Sequence, residues 1–491
     1  MKKNIKSALL RITLLALALI MIVGCFASCS DKNTDDTDTE SIDTNNSELS
    51  AVDKLPKLDL DGKDCYFLVR KYEEYYQDLC VDELTVNSSL LDRAVYKRQK
   101  TVEELYDVKL NFVTANDDKE LASVVATSAS NGEAPYDIIV QHGAKVFEGA
   151  LAGYYMDWND LKYVDLEADY WLQSAVEKFS TPGGKLFAMN GDISYYSVGN
   201  TNVMFFNKTI LDNAKLDSPY DMVKADTWTL ENFIKLTKDA DSSLTTGNDA
   251  GDLTDAYGYV TQRYRGPGSA IAATGSRGLV LGNDGKYTIA LKSERAVTAF
   301  GTYRDFLLNS GVAYYSQEDI TKVRPVFNSS RAVFTDDNLK CAVNLKDSGI
   351  DFGIVPWPKY QESDEYFSIV GSGTNTFAVL KTTTEEDREM ISAVLEAMAV
   401  FGQRDVISYY FDTILSYQAA TDEHCHDMIQ LIHDMMDVDI TGYLRVGGIA
   451  DIGRLIIEEP ETYGTSLSTA VSVIEKKVYA ELELWYALDN E

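Results

Sequence analysis

The sequence predicts an α/β protein with two or three domains, or with two lobes that share one core. Its 491 residues exceed the roughly 100–200 residues of a single domain. Short apolar runs of period two alternate with amphipathic runs of helical period, which indicates α/β units around a parallel sheet. The composition, 45% hydrophobic and 25% charged, is ordinary for a globular chain.

The N-terminus predicts an export signal. Lys2, Lys3, Lys6 and Arg11 precede a charge-free apolar run at residues 12–23. This run is too short to span a bilayer comfortably and has the length of the apolar core of a signal peptide. The sequence therefore predicts that the protein is exported.

Two cysteines follow the apolar run, each after small residues. The segments ending in Cys25 and Cys29 both resemble the bacterial lipobox, in which the cysteine is acylated and becomes the mature N-terminus. Cys25 has the better residues before it, and Cys29 has the better residues after it, so either is a candidate for lipid attachment. An ordinary cleaved signal without lipid is the alternative. Residues 1–29 are thus expected to form a lipoprotein signal peptide.

A polar segment separates this signal from the body of the protein. Residues 30–51 are almost all Asp, Asn, Ser, Thr and Glu, a composition that buries too little apolar surface to order itself. We expect a flexible acidic tether over 30–55. Lipid and tether together predict a protein at the outer face of the cytoplasmic membrane.

The first part of the body alternates strands and helices. A period-two pattern over 108–113 and a continuous apolar run over 136–140 indicate strands, the second of them buried in a parallel sheet. Asn131 and Gly132 end the helix between these strands. In chain order, the expected elements are a strand at 65–70, a helix at 91–106, a strand at 108–113, a helix at 117–130, a strand at 136–140 and a helix at 144–151.

Turn and cap residues mark three further elements. Asn283, Asp284 and Gly285 predict a hairpin turn within 279–290. Ser293 and Thr384 each precede a run with apolar residues about one turn apart, which predicts two N-capped helices.

Charge and motifs argue against several functional classes. The formal charge of −32 lacks the basic footprint that nucleic-acid binding needs. The contexts of a nucleophile elbow, a zinc-protease helix, a P-loop or a dinucleotide fingerprint are not found, and four histidines leave few general bases. We expect no catalytic residues and no cofactor.

Two clusters of the sequence contain residue types that can bind metal ions. His424, Cys425, His426 and His433 include good zinc ligands, but two helical turns separate the last two, which favours a solvated helix. The acidic loop after Asp239 lacks the glycine and the bidentate glutamate of an EF-hand at positions 244 and 250, so a solvated loop is favoured. We expect no metal.

The remaining cysteines have no metal-binding spacing. Cys65 and Cys80 flank one loop, and the sequence allows either a disulfide between them or two buried free thiols.

Several segments, in this order, resemble the family 1, sugar-type extracellular solute-binding proteins of ABC importers, in particular the lipoproteins of Gram-positive bacteria. The matching segments are 91–98 with 102–104, 136–140, 151–158, 203–208, 227–230, 327–334, 353–358 and 369–377.

The resemblance implies a two-lobed, type II periplasmic-binding-protein fold. An N-lobe of 56–206 plus 374–405 and a C-lobe of 207–366 plus 406–491 are expected. Hinge crossings are expected at 203–207, 367–373 and 401–405. The ligand would lie in the cleft, at the ends of the strands.

Candidate ligand-binding residues are aromatic or planar polar side chains near expected strand ends, because sugars need flat apolar faces and directed hydrogen bonds. They are Tyr72, Glu74, Tyr75, Gln141, His142, Tyr155, Trp158, Asn200, Thr201, Thr335, Asp336, Ser372, Thr374 and Tyr443. Trp171 and Trp357 are assigned to packing, because each has apolar neighbours in the sequence, and Trp228 fits either role.

The sequence thus predicts a non-enzymatic, membrane-anchored monomer that delivers a carbohydrate-like solute to ABC permease subunits, without nucleic-acid binding. An oligosaccharide is favoured as the ligand, and a monosaccharide, a polyol or another small polar solute is also possible. One alternative is an extracellular carbohydrate-active hydrolase, which needs two carboxylates about 5–10 Å apart across a cleft. The other alternative is a structural surface lipoprotein.

Overall fold

The strands of the computed structural model form two mixed sheets and two small two-stranded ones. The structure describes residues 50–490 except 243, 245–250, 274, 411–412 and 414–422. The predicted signal peptide, both lipobox cysteines, the tether up to residue 49 and positions 245–250 of the acidic loop lie outside the described residues. In the described part of the chain, no helix is both long enough and apolar enough to cross a bilayer.

The strands are short, as expected for an α/β protein. In chain order they are β1 (Lys63–Val69), β2 (Val108–Thr114), β3 (Ile138–His142), β4 (Asn202–Asn207), β5 (Tyr257–Gln262), β6 (Leu279–Leu281), β7 (Tyr287–Ile289), β8 (Ala313–Ser316), β9 (Ala332–Asn338), β10 (Phe352–Val355), β11 (Ser368–Ile369), β12 (Asn375–Ala378) and β13 (Met436–Asp437).

The helices fill the connections and the C-terminal segment. They are α1 (Ala51–Lys54), α2 (Glu73–Gln77), α3 (Leu90–Tyr106), α4 (Asp118–Asn131), α5 (Gly143–Leu151), α6 (Gln173–Phe179), α7 (Tyr196–Gly199), α8 (Lys208–Ala214), α9 (Pro219–Lys224), α10 (Leu230–Asp241), α11 (Gly266–Ala273), α12 (Glu294–Asn309), α13 (Ile320–Asn328), α14 (Cys341–Asp347), α15 (Glu385–Phe401), α16 (Glu423–Asp434), α17 (Ile440–Leu444), α18 (Ile452–Glu458), α19 (Pro460–Tyr463) and α20 (Leu467–Ala487). Helical turns also cover Trp158–Asp160, Ala290–Lys292, Gly402–Ile407, Val446–Asp451 and Leu488–Asn490.

The sheet of the first lobe has the strand order β12-β3-β1-β2. β1 pairs in parallel with β2 and β3, and β12 runs antiparallel to β3. Phe67 lies opposite Phe112 and Ile138 in the register, and the two phenylalanine rings stack at 4.6 Å between centroids. Parallel pairing brings the carboxyl ends of β1 and β3 to one edge.

The sheet of the second lobe has the order β10-β4-β9-β5-β8. β4 and β9 are antiparallel, with Asn202 opposite Asn338, whereas β5 is parallel to both β8 and β9. Because β4 belongs to this sheet, the chain enters the second lobe before Asn202, ahead of the predicted crossing at 203–207. The return crossing lies between β10 and β12, where 367–373 was expected.

The C-terminal part of the chain contacts both lobes. α15 and the turn Gly402–Ile407 pack on α3 of the first lobe, and Lys97 pairs with Asp405 at 3.1 Å. α16 packs on β10 of the second lobe. The predicted third crossing at 401–405 stays a prediction, because residues 411–412 and 414–422, between these two packed segments, lie outside the described residues. The tether ends earlier than predicted, because Ser50 caps α1 and Leu55 is buried.

A buried arginine joins three segments of the first lobe through hydrogen bonds. Arg98 is fully buried and donates hydrogen bonds to the carbonyls of Ile193, Asp78 and Leu79 at 2.8–3.1 Å. The Asp78 carboxylate accepts from the backbone N–H of Tyr195 at 2.8 Å. These bonds join α3, the loop after α2 and the loop before α7. A buried charge is tolerated only with such partners.

The four cysteines of the described residues, Cys65, Cys80, Cys341 and Cys425, are all buried. Of the two possibilities for Cys65 and Cys80, the structure shows buried free thiols.

Candidate functional site

A cavity of about 420 Å³ lies between the two larger sheets. Both lobes, the crossings and the C-terminal segment contribute to its wall. The lining residues are Tyr75, His142, Asn200, Asn202, Gln262, Arg263, Tyr264, Arg265, Gly268, Ser269, Ile271, Ala272, Ala273, Gly278, Leu291, Asn338, Trp357, Phe367, Ile369, Val370, Gly371, Ser372, Gly373, Asp439, Thr441, Gly442, Tyr443, Arg445, Ile449, Ala450, Asp451 and Arg454.

One guanidinium group fixes the polar groups at the crossing. Arg265, in the loop between β5 and α11, donates to the side-chain oxygens of Asn202, at 3.1 Å, and of Asn338. It also pairs with Asp337 at 3.3 Å. Since guanidinium has donors but no acceptor, it can bind only the oxygen end of each carboxamide. Arg265 therefore determines which way both asparagines face.

Asn338 in turn determines the orientation of the Asn200 carboxamide. Its Nδ2 donates to Asn200 Oδ1 at 2.9 Å, which leaves Asn200 Nδ2 buried without a hydrogen-bond partner. Trp357, 3% exposed, likewise has a buried Nε1–H without a hydrogen-bond partner. An unsatisfied buried donor costs about 1–3 kcal/mol. These two lining side chains are ready to donate to oxygen atoms of a bound molecule.

His142 ends β3 on the wall of the first lobe and is held as a neutral ring. Its Nδ1 accepts from the backbone N–H of Ala144 at 3.2 Å, so the ring proton is placed on Nε2. Burial is the largest cause that lowers the pKa of His142 to about 3. The positive charges of Arg70, Arg445 and Lys145 lower that pKa further. At neutral pH His142 is therefore an uncharged hydrogen-bond donor.

Aromatic rings and cations connect the lobes beside this histidine. Arg70 donates to the carbonyl of Gly373 at 2.9 Å and lies 3.6 Å from the ring centroid of Tyr75. Lys340 of the second lobe lies 5.1 Å from the same ring and pairs with Glu74 at 3.3 Å. Tyr75 thus has cations from both lobes within cation–π range.

The C-terminal segment supplies the remaining wall. Tyr443 in α17 is 1% exposed, packs at 4.5 Å from Phe179, and accepts from Asn190 Nδ2 at 3.1 Å. Phe179 and Asn190 belong to the first lobe, whereas Thr441 of the same helix accepts from the backbone N–H of Leu279 in the second lobe at 2.9 Å. This segment therefore contacts both lobes at the cavity.

A chain of ion pairs lies in the same wall. Glu458 pairs with Arg263 and, at 2.9 Å, with Arg454. Asp451 pairs with Arg445 and lies 3.7 Å from Arg454. Tyr264, 68% exposed at the cavity, lies over Arg263 at 5.3 Å and Arg454 at 5.9 Å.

The structure brings part of the predicted site together. The predicted residues that line the cavity are Tyr75, His142, Asn200, Ser372 and Tyr443. Those that do not line it are Tyr72, Glu74, Gln141, Tyr155, Trp158, Thr201, Thr335, Asp336 and Thr374.

The residues outside the cavity have local physical explanations. Tyr155 and Trp158 are 3% and 0% exposed and belong to the apolar core. Thr335 and Asp336 were expected to follow a strand, but β9 continues through them, and Thr335 donates to the carbonyl of Val260 at 3.1 Å inside the sheet. Asn338, at the end of this longer strand, occupies the cavity instead. Tyr72 is 55% exposed.

The polar residues Gln141, Thr201 and Thr374 are also buried away from the wall. Gln141 donates to the Asp118 carbonyl at 3.3 Å, and Thr201 forms a bridge with Val370. Their side chains are thus assigned to the scaffold of the crossings.

Sequence reasoning missed the segment 262–273 and the arginines 445 and 454. A signal was present, because Gly266, Pro267 and Gly268 follow the apolar run that becomes β5 and mark a turn. Trp357 was assigned to packing, and it is a lining residue.

Metal chemistry has no candidate in the described part of the chain, where no group of three or more His, Cys, Asp or Glu side chains is placed to hold an ion. His424 lies with its Nδ1 2.8 Å from Lys224 Nζ, a neighbour that disfavours a cation.

Comparisons with known proteins agree with this geometry. Residues 97–392 match the model of a family described as bacterial extracellular solute-binding protein, whereas no curated protein sequence matches significantly.

Three solved structures with the two-lobed periplasmic-binding-protein fold are similar over most of the chain. A family 1 extracellular solute-binding protein from Bifidobacterium longum subsp. infantis has a TM-score of 0.57 at 15% identity, covering 85% of this chain and 100% of its own. The GacH receptor of Streptomyces glaucescens, solved also with acarbose, has 0.55 at 14%, covering 86% and 99%. Maltose-bound MalE3 of T. maritima has 0.54 at 15%, covering 85% and 100%. At these identities the likeness shows the fold.

Replacing Arg265 by lysine should weaken ligand binding while the fold is kept. Lysine cannot reach Asn202, Asn338 and Asp337 together, so Asn338 and Asn200 lose their fixed orientation. We expect an affinity loss of about 10- to 100-fold, the equivalent of one or two hydrogen bonds, measured by calorimetry with any ligand found. Arg331→Lys is the matched control, because Arg331 donates to the carbonyls of Leu253 and Asp255 outside the cavity. Equal losses in both variants would contradict the role of Arg265.

The ring of His142 should stay neutral between pH 8 and pH 4. Its folded-state pKa lies below the value near 6.5 of an unfolded histidine. The unfolded chain therefore takes up this proton first, and the ring destabilises the fold as pH falls below about 6.5. With four histidines in the chain, the ring can be followed by NMR and assigned through His142→Gln. A midpoint near pH 6.5 would disprove the expectation.

Proposed function

This chain belongs to the bacterial extracellular solute-binding proteins, and from that membership we propose that it captures a carbohydrate-like solute between its lobes and delivers it to an ABC permease. The observation that carries the proposal is the buried Asn200 Nδ2, a donor without a partner that lines a cavity built by both lobes. Sugar hydroxyls supply the oxygen acceptors that such a donor requires.

The composition of the wall supports a sugar-like ligand. Asn200, His142 Nε2 and Trp357 Nε1 offer neutral donors, and Ser372 adds a hydroxyl. Tyr264 presents an exposed ring at the cavity, a surface suited to the C–H face of a pyranose. Similar structures were solved with acarbose and with maltose.

The arrangement of the crossings supports capture by lobe closure. The backbone passes between the sheets beside Asn200 and again at Gly371 to Gly373, and all of these residues line the cavity. A ligand that contacts both lobes favours the closed arrangement, and a permease that recognises this arrangement would respond only to the loaded protein. Delivery by a monomer is consistent with one cavity that a single chain completes.

The N-terminal sequence supports anchoring at the outer face of the cytoplasmic membrane. Cys25 or Cys29 would carry the lipid, and the acidic tether before Ser50 would separate it from the body. Such an anchor would keep the binding protein at the membrane that holds its permease.

A thermal-shift screen of the purified chain against mono- and oligosaccharides tests the function. A ligand at 100 times its Kd should stabilise the protein by about 2.7 kcal/mol, and it should be recovered chemically unchanged. Gly268 lines the cavity, and a Cβ placed there meets no atom within 4 Å, so Gly268→Leu should fill the ligand's space and weaken binding by at least about 10-fold. Gly301→Leu, in equally open space on α12 outside the cavity, is the control.

Two results would contradict the proposal. Consumption of the sugar would indicate a hydrolase, and undiminished binding by Gly268→Leu would place the ligand elsewhere.

Single Cys25→Ser and Cys29→Ser variants identify the lipid site. One of them should abolish incorporation of labelled palmitate in a Gram-positive host and release the protein into the medium, because a polar tether alone does not hold to a membrane. The other variant serves as the control. Retention of the label in the double variant would contradict lipid anchoring.

A further inference from the structure

We infer that the solute carries an anionic group, a carboxylate or a phosphate, which binds at the arginine-bearing wall formed by Arg263, Arg445 and Arg454. This inference rests on the proposed function and specifies its ligand class.

The ion pairs of this wall leave one positive charge in excess. Three guanidinium groups, those of Arg263, Arg454 and Arg445, share two carboxylates, those of Glu458 and Asp451. The Glu458 side chain is 6% exposed and that of Arg454 is 19% exposed, so solvent screens this imbalance only in part.

Arg265 adds one lining guanidinium on the adjoining wall. It lies 3.3 Å from Asp337, which also pairs with Arg324 at 2.6 Å. The carboxyl group of Asp319 acts on both of these arginines and that of Asp336 acts on Arg265, and the two groups offset their charge.

Asp439 is a further lining carboxyl group. Burial raises its pKa, while hydrogen bonds from Thr441 and the charge of Arg277 lower it.

The arginine side chains also have unused donors. The Nε atoms of Arg263, Arg265 and Arg454 are buried without a hydrogen-bond partner, although all three side chains line the cavity. Guanidinium binds carboxylate and phosphate oxygens through pairs of parallel hydrogen bonds. An oxyanion would satisfy these donors and neutralise the excess charge together.

The opposite side of the cavity adds one cation. Arg70 bonds to the carbonyl of Gly373 and stacks on the lining Tyr75. Burial is the largest cause that lowers the pKa of His142, and the charges of Arg70 and of Arg445 in the arginine-bearing wall lower it further. A chain with a formal charge of −32 repels anions at long range. The arginines that line this cavity provide the local attraction that an anionic solute needs.

Matched sugars that differ in charge test the inference. Calorimetry on the full chain at fixed ionic strength compares galactobiose with digalacturonate, and glucose with glucose 6-phosphate. We expect the anionic member of at least one pair to bind at least about 10-fold more tightly, with a preference that narrows as salt rises. The carboxylate and phosphate pairs distinguish the two sources of charge.

Arginine variants locate the anionic group. Arg445, whose side chain is 39% exposed, and Arg454 are each replaced by glutamine. Either change should reduce the preference for the anionic sugar over its neutral partner to about twofold or less. Arg93→Gln removes the same charge from the exposed face of α3, outside the cavity, and should leave the preference unchanged.

The outcomes separate the inference from the proposed function. If neutral sugars bind as tightly as their anionic partners, or if Arg93→Gln acts like the cavity variants, the anionic site is refuted and the solute-binding role stands. If neither kind of sugar binds, both are refuted.

Discussion

The polarity of the cavity depends on the guanidinium of Arg265, a group that donates hydrogen bonds and accepts none. It binds the oxygen ends of Asn202 and Asn338, and Asn338 in turn binds the oxygen of Asn200. Each carboxamide is thereby left with one permitted orientation. The result is that Asn200 Nδ2, a buried donor at the crossing between the lobes, is held at the wall of the cavity by a series of hydrogen bonds that begins at Arg265.

Local structure could be predicted from the sequence more accurately than the boundaries of the lobes, because the boundaries depend on contacts between distant residues. The strand before residue 70, the helix that ends at Tyr106, the hairpin around Asp284 and the capped helix after Thr384 follow from periodicity and caps within a few residues. The crossings depend on pairing between distant segments. Asn202 joins the second sheet because Asn338 lies opposite, and no pattern near residue 202 contains that information.

The candidate site likewise contains residues that could be predicted from the sequence and residues that could not. His142 and Asn200 could be predicted as lining residues because open α/β sheets bind their ligands at strand ends and crossings. Thr335 and Asp336 were displaced because the strand runs four residues beyond its expected end at Phe334, to Asn338. Tyr155 and Trp158 show that an aromatic residue after a helix packs into a core as readily as it faces a cleft. The arginines of the C-terminal segment reach the cavity through tertiary packing alone, which sequence spacing does not encode.

The C-terminal helix has a mechanical consequence. α20 is joined to the second lobe by Lys292 and Glu475, at 2.7 Å, while beyond its end Asp489 accepts from the Gly183 backbone N–H in the first lobe at 2.8 Å. The crossings already fix one line of attachment between the lobes. In the proposed closure of the lobes, a second place of attachment would limit how far they can twist against each other. The contacts at the two ends of α20 would then limit how far the cavity can open between the lobes.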